Sequence, residues 1–361
     1  MKKRKLVLEN GLVFSGRQFG ADTEGVFELV FNTAMAGYQE IISDPAYCDS
    51  IVVMSYPLIG SYGITDEDYE SRMMTLGGMV VREYIDQPSN FRYTKTLSET
   101  FEENGVAGLC GVDTRRIVRV IRDCGTMKAM ITDEDTSLDA ALGKLRSYVM
   151  PTDQVARCSC RKRRYARTQN HRFTVAVIDC GAKLSIIREL NERGCNVVIL
   201  PYDTTAEQLR GIRPDGVVFS NGPGSPENIP QTSLLVKEVY GKLPLLGIGL
   251  GMELVALSRG AKVYRMKFGH HGGGSVRDLR NGRIEMTSQN HSYAVEPQSV
   301  DGTGLKITHT NVIDGTVEGL CGELAICVQY QPESAPGSQD SKYIFDEFIK
   351  MMEGFDNAKA D

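Results

Sequence analysis

Short apolar runs alternate with amphipathic helical segments in the second half of the chain, and this alternation restricts the fold more than any other feature. The runs are rich in Val, Ile and Leu, as is typical of strands buried on both faces. Strands are predicted at residues 173–178, 196–201, 216–220 and 243–248, and helices at residues 183–193, 205–212, 231–240 and 252–259. This order predicts a parallel sheet with helices on both faces. Further strands are predicted within 283–328, and a closing helix at 341–352.

The first half has a different pattern. Apolar and polar residues alternate around Asn10 and Gly11 over residues 6–14, which is the strongest short signal for a β-hairpin. Strands are also predicted at 26–31 and 51–54, and a helix at 114–122 follows Asp113, a good N-cap residue. We therefore expect an α/β protein with an N-terminal mixed β/α domain at residues 1–152 and a second α/β domain at residues 173–361.

A basic segment separates the two predicted domains. Residues 153–172 are rich in Arg and contain almost no large apolar residue, so the composition predicts a solvated basic linker. The alternative is a contact with an acidic partner. Cys158 and Cys160 could hold a metal ion, but no second Cys or His pair follows at a zinc spacing, so we predict no metal site there.

Composition excludes several classes of function. The chain has 361 residues, and its 41 basic and 46 acidic side chains give a net charge of −5, which argues against nucleic-acid binding. It has no apolar run of about 18 residues that could span a membrane. The nine cysteines are scattered and odd in number, as is typical of reduced thiols. We therefore expect a cytoplasmic protein that binds neither nucleic acid nor a membrane.

Two glycine-rich turns follow predicted strands, at the sheet edge where α/β proteins bind ligands. The first, at residues 220–226, has the sequence SNGPGSP; by itself it could be an ordinary turn. The second, GIGLGME at residues 247–253, has the spacing of a nucleophile elbow, in which a central nucleophile stands between two glycines. The central residue is Gly249, so this elbow carries no nucleophile. Met252 breaks the spacing of a dinucleotide-binding loop.

Over nearly its whole length the chain resembles the small subunits of carbamoyl-phosphate synthetases. The motifs in the N-terminal half are FNTAMAGYQE at 31–40, YPLIG at 56–60, PSNFR at 88–92 and GVDTRR at 111–116. Those in the C-terminal half are SNGPG at 220–224, MKFGH at 266–270, SQNH at 288–291 and DGTVEG at 314–319. The resemblance implies a flavodoxin-like class I glutamine amidotransferase domain after an N-terminal domain that docks on the synthetase large subunit.

The resemblance also implies a reaction. Enzymes of this family are glutamine-hydrolysing ligases, which make carbamoyl phosphate from glutamine or ammonia, bicarbonate and two ATP. ATP and Mg²⁺ belong to the large subunit, and this chain has no P-loop, so we expect no cofactor in it. Whether the product would serve arginine or pyrimidine biosynthesis is not determined by the sequence.

The family uses a Cys nucleophile, a His base and a Glu two residues after the base. The resemblance places the nucleophile at Gly249, the base at Gln331 and the carboxylate at Glu333. Glycine has no nucleophile, and the amide of Gln331 is neither an acid nor a base near neutral pH. Loss of a triad nucleophile alone lowers turnover by about 10⁶-fold. The sequence therefore predicts an inactive glutaminase.

The resemblance implies a set of positions for binding glutamine, and several of them have changed. These positions are Ala46, Gly222, Gly224, Leu250, Glu253, Asn290, Ser292 and Tyr293. Compared with the family, Ala46 replaces Ser, Glu253 replaces Gln and Ser292 replaces Gly. Tyr293 replaces Phe conservatively, and Met252 replaces a His. Several independent changes in one pocket indicate relaxed constraint there, and we expect the pocket to hold glutamine or no ligand.

Other residues could replace the missing groups. Cys180 follows a different predicted strand, and we interpret it as a structural thiol. The remaining imidazoles of this half, for which we expect structural or solvated roles without a metal, are His270, His271, His291 and His309. Three hypotheses stay open: a subunit with an inactive glutaminase, a subunit with an unrecognised nucleophile, and a stand-alone ligand-binding or regulatory pseudo-amidotransferase.

Overall fold

The computed structural model describes residues 2–360, with side chains up to residue 355. The chain divides into two units, Met1–Pro151 and Thr152–Asp361. None of the described helices is long and apolar enough to cross a membrane.

The first unit is built on a β-barrel. Its strands are β1 (Lys3–Leu8), β2 (Val13–Gly20), β3 (Val26–Asn32), β4 (Ser50–Met54), β5 (Leu58–Ile59), β6 (Gly78–Val80), β7 (Glu83–Tyr84), β8 (Ala107–Cys110) and β9 (Met127–Asp133). Its helices are α1 (Tyr38–Ser43), α2 (Leu97–Asn104), α3 (Thr114–Cys124) and α4 (Leu138–Ser147). The barrel closes in the order β1-β2-β8-β6-β4-β3-β9, and β5 pairs separately with β7.

The local signals of the first half are confirmed. Strands β1 and β2 form an antiparallel hairpin in which Leu6 faces Phe14, and Gly11 in the turn has a φ of 88°. Glycine adopts such a left-handed conformation without a steric penalty. Helix α3 begins after Asp113, whose side chain accepts a hydrogen bond from the backbone N–H of Arg116.

The second unit alternates strands with helices before it turns to antiparallel strands. Its strands are β10 (Arg164–Ala166), β11 (Phe173–Asp179), β12 (Cys195–Pro201), β13 (Gly216–Phe219), β14 (Leu245–Ile248), β15 (Val263–Asp278), β16 (Ile284–Val295), β17 (Lys306–Asn311), β18 (Val317–Gly322) and β19 (Ala325–Val328). Its helices are α5 (Gln154–Cys158), α6 (Leu184–Glu192), α7 (Ala206–Ile212), α8 (Pro230–Val239), α9 (Leu250–Ser258) and α10 (Tyr343–Ala360).

All ten strands form one sheet, in the order β10-β12-β11-β13-β14-β19-β18-β17-β15-β16. The parallel part, β12-β11-β13-β14-β19, has the 2-1-3-4-5 order of flavodoxin-like folds, as predicted. Ala176 and Ile178 pack into one apolar cluster, whereas Val175 and Val177 pack into another. Successive side chains of a strand point to opposite faces, so both faces of the sheet are covered.

Two features differ from the simplest interpretation of the sequence. Strand β15 was not predicted, because its glycine-rich stretch at 272–274 lacks the apolar alternation by which a strand is recognised. The segment 153–172, predicted as a linker, contains helix α5 and strand β10, which pairs with β12. The structure places this segment in the second unit.

Candidate functional site

The turn between β14 and α9 has the geometry of an elbow without its nucleophile. Gly249 adopts φ 54° and ψ −114°, a conformation that residues with a side chain rarely adopt. Its backbone N–H donates to the carbonyl of Val328 at 2.8 Å. A Cβ at position 249 would lie 3.4 Å from the Cβ of Asn221, which is an ordinary contact. The turn therefore has space for a side chain at position 249, although the residue there is glycine.

Close packing requires glycine at two neighbouring positions, Gly251 after the elbow position and Gly222 in the first glycine-rich turn. A Cβ on Gly251 would lie 2.0 Å from the carbonyl oxygen of Phe219, and a Cβ on Gly222 would lie 2.2 Å from that of Cys180. Real Cβ atoms do not approach backbone so closely. A larger residue at position 251 would therefore push β13 and α9 apart, and one at position 222 would push the turn after β13 away from Cys180. The backbone of the turn thus packs closely against two neighbouring strand ends, and its central residue is a glycine.

The positions predicted for the base and its carboxylate, Gln331 and Glu333, lie beside a buried lysine. The Nζ of Lys183 lies 2.9 Å from Oε1 of Glu333 and donates to Oε1 of Gln331 at 3.3 Å. It also donates to the carbonyl of Ala335. The side chains of Lys183, Gln331 and Glu333 are all buried. Glu333, the position that orients the base in the family, therefore forms an ion pair with Lys183, and Gln331 accepts a hydrogen bond from the same ammonium group.

Lys183 was missed by sequence reasoning. It follows β11 by four residues and precedes α6, so it lies at the carboxyl-end edge of the sheet together with the two glycine-rich turns. That position after a parallel strand was the signal that could have pointed to it.

Glu253 is buried in the first turn of α9. Its Oε1 accepts a hydrogen bond from Nε2 of Gln329 at 2.9 Å. Burial raises the pKa of the Glu253 carboxyl to about 7, since a charged carboxylate is poorly solvated there. Among the described residues, nothing donates to its Oε2, and neither polar atom of the Asn221 side chain has a hydrogen-bond partner. Met252 packs into the apolar core.

The remaining glutamine positions fall on three elements of the second unit. Leu250 is buried at the start of α9, and Gly224 has a φ of 80° in the turn after β13. Asn290, Ser292 and Tyr293 lie on β16. Elements β13, β14 and α9 bring Gly222, Gly224, Gly249, Leu250 and Glu253 to one edge of the sheet.

The last predicted position, Ala46, belongs to the first unit. It lies in a 3₁₀ turn at Pro45–Tyr47, and its backbone N–H donates to Oδ1 of Asp44 at 2.9 Å.

Cys180 has the environment of an unreactive thiol. Its side chain is fully buried in an apolar cluster. Burial raises the pKa of the Cys180 thiol far above its usual range, so the thiolate required for nucleophilic attack does not form near neutral pH.

The histidines occupy environments that sequence spacing does not show. His270 on β15 faces His291 on β16, and both lie beside the buried carboxylate of Glu318. His271 contacts Oδ1 of Asn290 through its Nδ1 at 2.8 Å. His309 contacts the hydroxyl of Tyr343 at 3.1 Å.

Comparison with known families covers both units. The model of the carbamoyl-phosphate synthase small chain, CPSase domain, matches residues 6–131, and the model of glutamine amidotransferase class-I matches residues 176–351.

Curated relatives match at nearly full length. The carbamoyl phosphate synthase small chain of Staphylococcus saprophyticus is 48% identical over 98% of this chain and 96% of its own length. The carbamoyl phosphate synthase small chain of Bacillus caldolyticus is 47% identical over 98% of this chain and 97% of its own length. A solved structure of a glutamine amidotransferase from Thermotoga maritima covers 53% of this chain and 87% of its own length, at 20% identity and a TM-score of 0.38.

Proposed function

Because this chain belongs to the family of carbamoyl-phosphate synthase small chains and contains a class I glutamine amidotransferase domain, we propose that it is a synthase subunit whose own glutaminase is inactive. In this proposal the complete enzyme makes carbamoyl phosphate from ammonia, bicarbonate and two ATP. The large subunit binds ATP and Mg²⁺, and this chain needs no cofactor. Since all nine cysteines are free thiols, we expect it to work in a reducing compartment such as the cytoplasm.

The strongest support comes from Gly249. In the family's reaction the side chain at this position forms a covalent bond with the glutamine amide, so a residue without a side chain cannot carry out the step. No residue from Gly247 to Met252 has a nucleophilic side chain, so a neighbouring position of the same turn does not replace the nucleophile.

The environment of Gln331 supports the same conclusion. A triad base accepts the proton of the nucleophile and then returns it to the leaving amine. The Gln331 amide cannot do this, and its Oε1 faces the ammonium group of Lys183. Glu333 has no imidazole to orient and is paired with Lys183 instead. Restoring a thiol alone would therefore not restore the reaction.

The hypothesis of a substitute nucleophile finds little support. Cys180 is the thiol that follows a neighbouring strand end, and its burial holds the group in the protonated form. Its backbone N–H donates to Oγ of Ser220, which fixes the turn after β11. Cys180 is consistent with a structural role.

Two exposed apolar side chains support docking on a large subunit through the first unit. Phe91 is 95% exposed and lies in the PSNFR motif, and Met35 is 78% exposed in the FNTAMAGYQE motif. Exposed aromatic and Met side chains are enriched in the cores of protein interfaces. We therefore propose that residues 1–150 form most of the interface with the large subunit.

One set of assays tests the proposal. The purified chain is mixed with its cognate large chain, and glutamate release is measured together with carbamoyl phosphate synthesis from ammonium or from glutamine. The Bacillus caldolyticus small chain, mixed with its own large chain, is assayed in parallel for comparison. We expect synthesis from ammonium and only background glutamate release. Glutamine turnover near ordinary enzyme rates, about 1–10³ s⁻¹, would contradict the inactive site.

A stand-alone ligand-binding role is the second candidate. It is favoured by three buried polar atoms near the elbow, Oδ1 and Nδ2 of Asn221 and Oε2 of Glu253, for which no described residue supplies a hydrogen-bond partner. Buried polar groups usually have partners, and a small polar ligand could provide them. Size-exclusion chromatography separates the two candidates, since this role predicts that the chain and the large chain elute separately.

A further inference from the structure

Three side chains from three strands of the second unit converge on one point. The Nδ1 of His270 on β15 lies 3.2 Å from Oε1 of Glu318 on β18, and the Nε2 of His291 on β16 lies 3.9 Å from the same oxygen. One potential ligand atom from each side chain lies within 4.8 Å of the others. Ligand atoms of a tetrahedral zinc site are about 3.4 Å apart, which follows from bond lengths of about 2.0–2.2 Å. Shifts of less than about 1 Å would close such a site.

The hydrogen bond of His291 determines which of its nitrogens is available. Its Nδ1 lies 2.8 Å from the carbonyl oxygen of Tyr293, and a carbonyl can only accept. Nδ1 therefore carries the proton in the neutral ring, and Nε2 has a lone pair. Within the described part of the chain, no group donates to this Nε2, although the side chain is buried. It faces another acceptor, the Glu318 carboxylate.

His270 is oriented in the same manner. Its Nε2 contacts Oδ2 of Asp314 at 2.8 Å, while Nδ1 points to Glu318. A carboxylate that holds one imidazole nitrogen while the other faces the metal is the usual outer partner of a metal-bound histidine. Asp314 thus acts as a positioning residue for His270.

Glu318 completes the donor set. Its side chain is fully buried, and Oε1 accepts a hydrogen bond from Nδ2 of Asn311 at 3.3 Å. Its Oε2 has no hydrogen-bond donor among the described residues. A fully buried carboxylate requires a compensating positive charge.

A hydrogen-bonded network without metal accounts for only part of this arrangement. A protonated His270 could bridge Glu318 and Asp314 and supply one positive charge. It would leave the Nε2 lone pair of His291 facing the Glu318 carboxylate with nothing between the two acceptors. A cation placed between the three groups satisfies both acceptors at once.

We propose that His270, His291 and Glu318 bind one divalent transition-metal ion, with Zn²⁺ as the ion that two imidazoles and a carboxylate favour. The site goes beyond the proposed subunit function, since it uses none of the triad positions. The side chain of His270 is 14% exposed and that of Asp314 is 41% exposed, so one edge of the site reaches solvent. A water molecule can occupy the fourth position there. The ion would join β15, β16 and β18, and we assign it a structural role.

Metal binding to the full chain tests the site directly. The protein is stripped with a chelator and dialysed, and Zn²⁺ is then titrated against a chromophoric competitor. Bound metal is counted by elemental analysis, and Co²⁺ absorption in the visible region reports coordination by the protein. We expect one tight site per chain and a rise of the melting temperature on adding Zn²⁺.

Variants identify the ligands. His291→Gln and Glu318→Gln should abolish the tight site and the rise in melting temperature. Asp314→Asn should weaken zinc binding about 10- to 100-fold, as loss of an outer partner does. His171 is exposed, so His171→Gln controls for binding by a surface histidine and should change nothing.

Two results would overturn the proposal. The first is a wild-type chain that binds no zinc at micromolar concentration. The second is a zinc affinity that stays the same in His291→Gln, Glu318→Gln and Asp314→Asn. Circular dichroism checks that each variant is folded. If the ligand variants fail to fold, the zinc affinity of Asp314→Asn tests the proposal. This variant should fold, because the Asp314 carboxylate lies at the solvent-exposed edge of the site.

Discussion

The ammonium nitrogen of Lys183 lies 2.9 Å from Oε1 of Glu333, and neither side chain is exposed to solvent. Because a buried charge without its partner is poorly solvated, we expect Lys183→Met to lower the free energy of unfolding by about 3–5 kcal/mol. Urea unfolding measures the change. Lys242→Met is the matched control: it breaks an exposed pair with Glu238 and should change stability by less than about 1 kcal/mol.

The double variant Lys183→Met/Glu333→Gln separates the effect of the unpaired Glu333 charge from the effect of packing. It removes both partners and should be more stable than Lys183→Met alone, since no carboxylate remains unpaired. Equal stabilities of the single and double variants would show that the loss comes from packing and not from charge.

Two glycines of the elbow should respond differently to alanine. Gly251→Ala places a Cβ 2.0 Å from the Phe219 carbonyl oxygen and should destabilise the protein by about 3 kcal/mol or more. Gly249→Ala meets only ordinary contacts, and its positive φ should cost about 1–3 kcal/mol. Chemical denaturation of both variants checks the order. A more damaging change at Gly249 would mean that the elbow has no room for a side chain.

Restoring the triad should require at least two changes. Gly249→Cys alone should stay at background glutaminase activity, because a thiol without a base keeps a pKa of about 8.5. Gly249→Cys/Gln331→His should show a trace of activity. Full activity should also need changes at Ala46, Met252 and Glu253. Glutamate release in the presence of the large chain is the measurement, and Gly249→Ala/Gln331→His is the inactive control. Substantial activity of Gly249→Cys alone would contradict the role assigned to Gln331.

Stability should fall as pH rises, through the range in which Glu253 titrates. Burial raises the pKa of this carboxyl to about 7, against 4.5 for the ordinary group. Below pH 4.5 the group is protonated in both the folded and the unfolded state. Between pH 4.5 and 7 the unfolded state ionises first, so on the order of 3 kcal/mol of stability is lost as pH rises.

Glu253→Gln should remove this part of the pH dependence, because the amide stays neutral. Unfolding free energies at pH 5, 6, 7 and 8 give the comparison with wild type. Glu238→Gln, on an exposed helical position, should leave the profile unchanged. If the unfolding free energy of Glu253→Gln depends on pH in the same way as that of the wild type, Glu253 does not have the raised pKa.

Docking on the large chain should depend on Phe91. Replacing this exposed side chain with Asp should weaken the complex at least about 10-fold, since an aromatic hot-spot residue contributes about 2 kcal/mol or more to binding. The control is Leu234 on α8 of the second unit, an apolar side chain that is 63% exposed. Leu234→Asp should have little effect on the affinity for the large chain. Surface plasmon resonance or gel filtration at micromolar concentration measures the change. If Leu234→Asp disrupts the complex and Phe91→Asp does not, the interface lies elsewhere.

Much of the fold could be predicted because its signals are local. Continuous apolar strands, amphipathic helices and the Asn10-Gly11 turn are visible within windows of a few residues. They correspond to β11–β14, α6–α9 and the β1–β2 hairpin of the structure. Strand β15 was not predicted because glycines interrupt the alternation of apolar and polar residues. It is recognised in the structure by its antiparallel pairing with β16.

The sequence by itself determined what the elbow lacks. A glycine at position 249 and a glutamine at 331 exclude a nucleophile and a base at those positions in any conformation, because a missing functional group needs no geometry to be recognised.

Only the tertiary structure decided which charged and polar side chains meet. Lys183 and Gln331 are 148 residues apart, and His270 and Glu318 are 48 apart, so no local pattern relates them. The register of β15 changes between Arg265 and His270, and a shift of one residue would turn a side chain to the opposite face of the sheet. Contacts between distant side chains therefore depend on strand register and crossover connections, which form when the whole sheet packs.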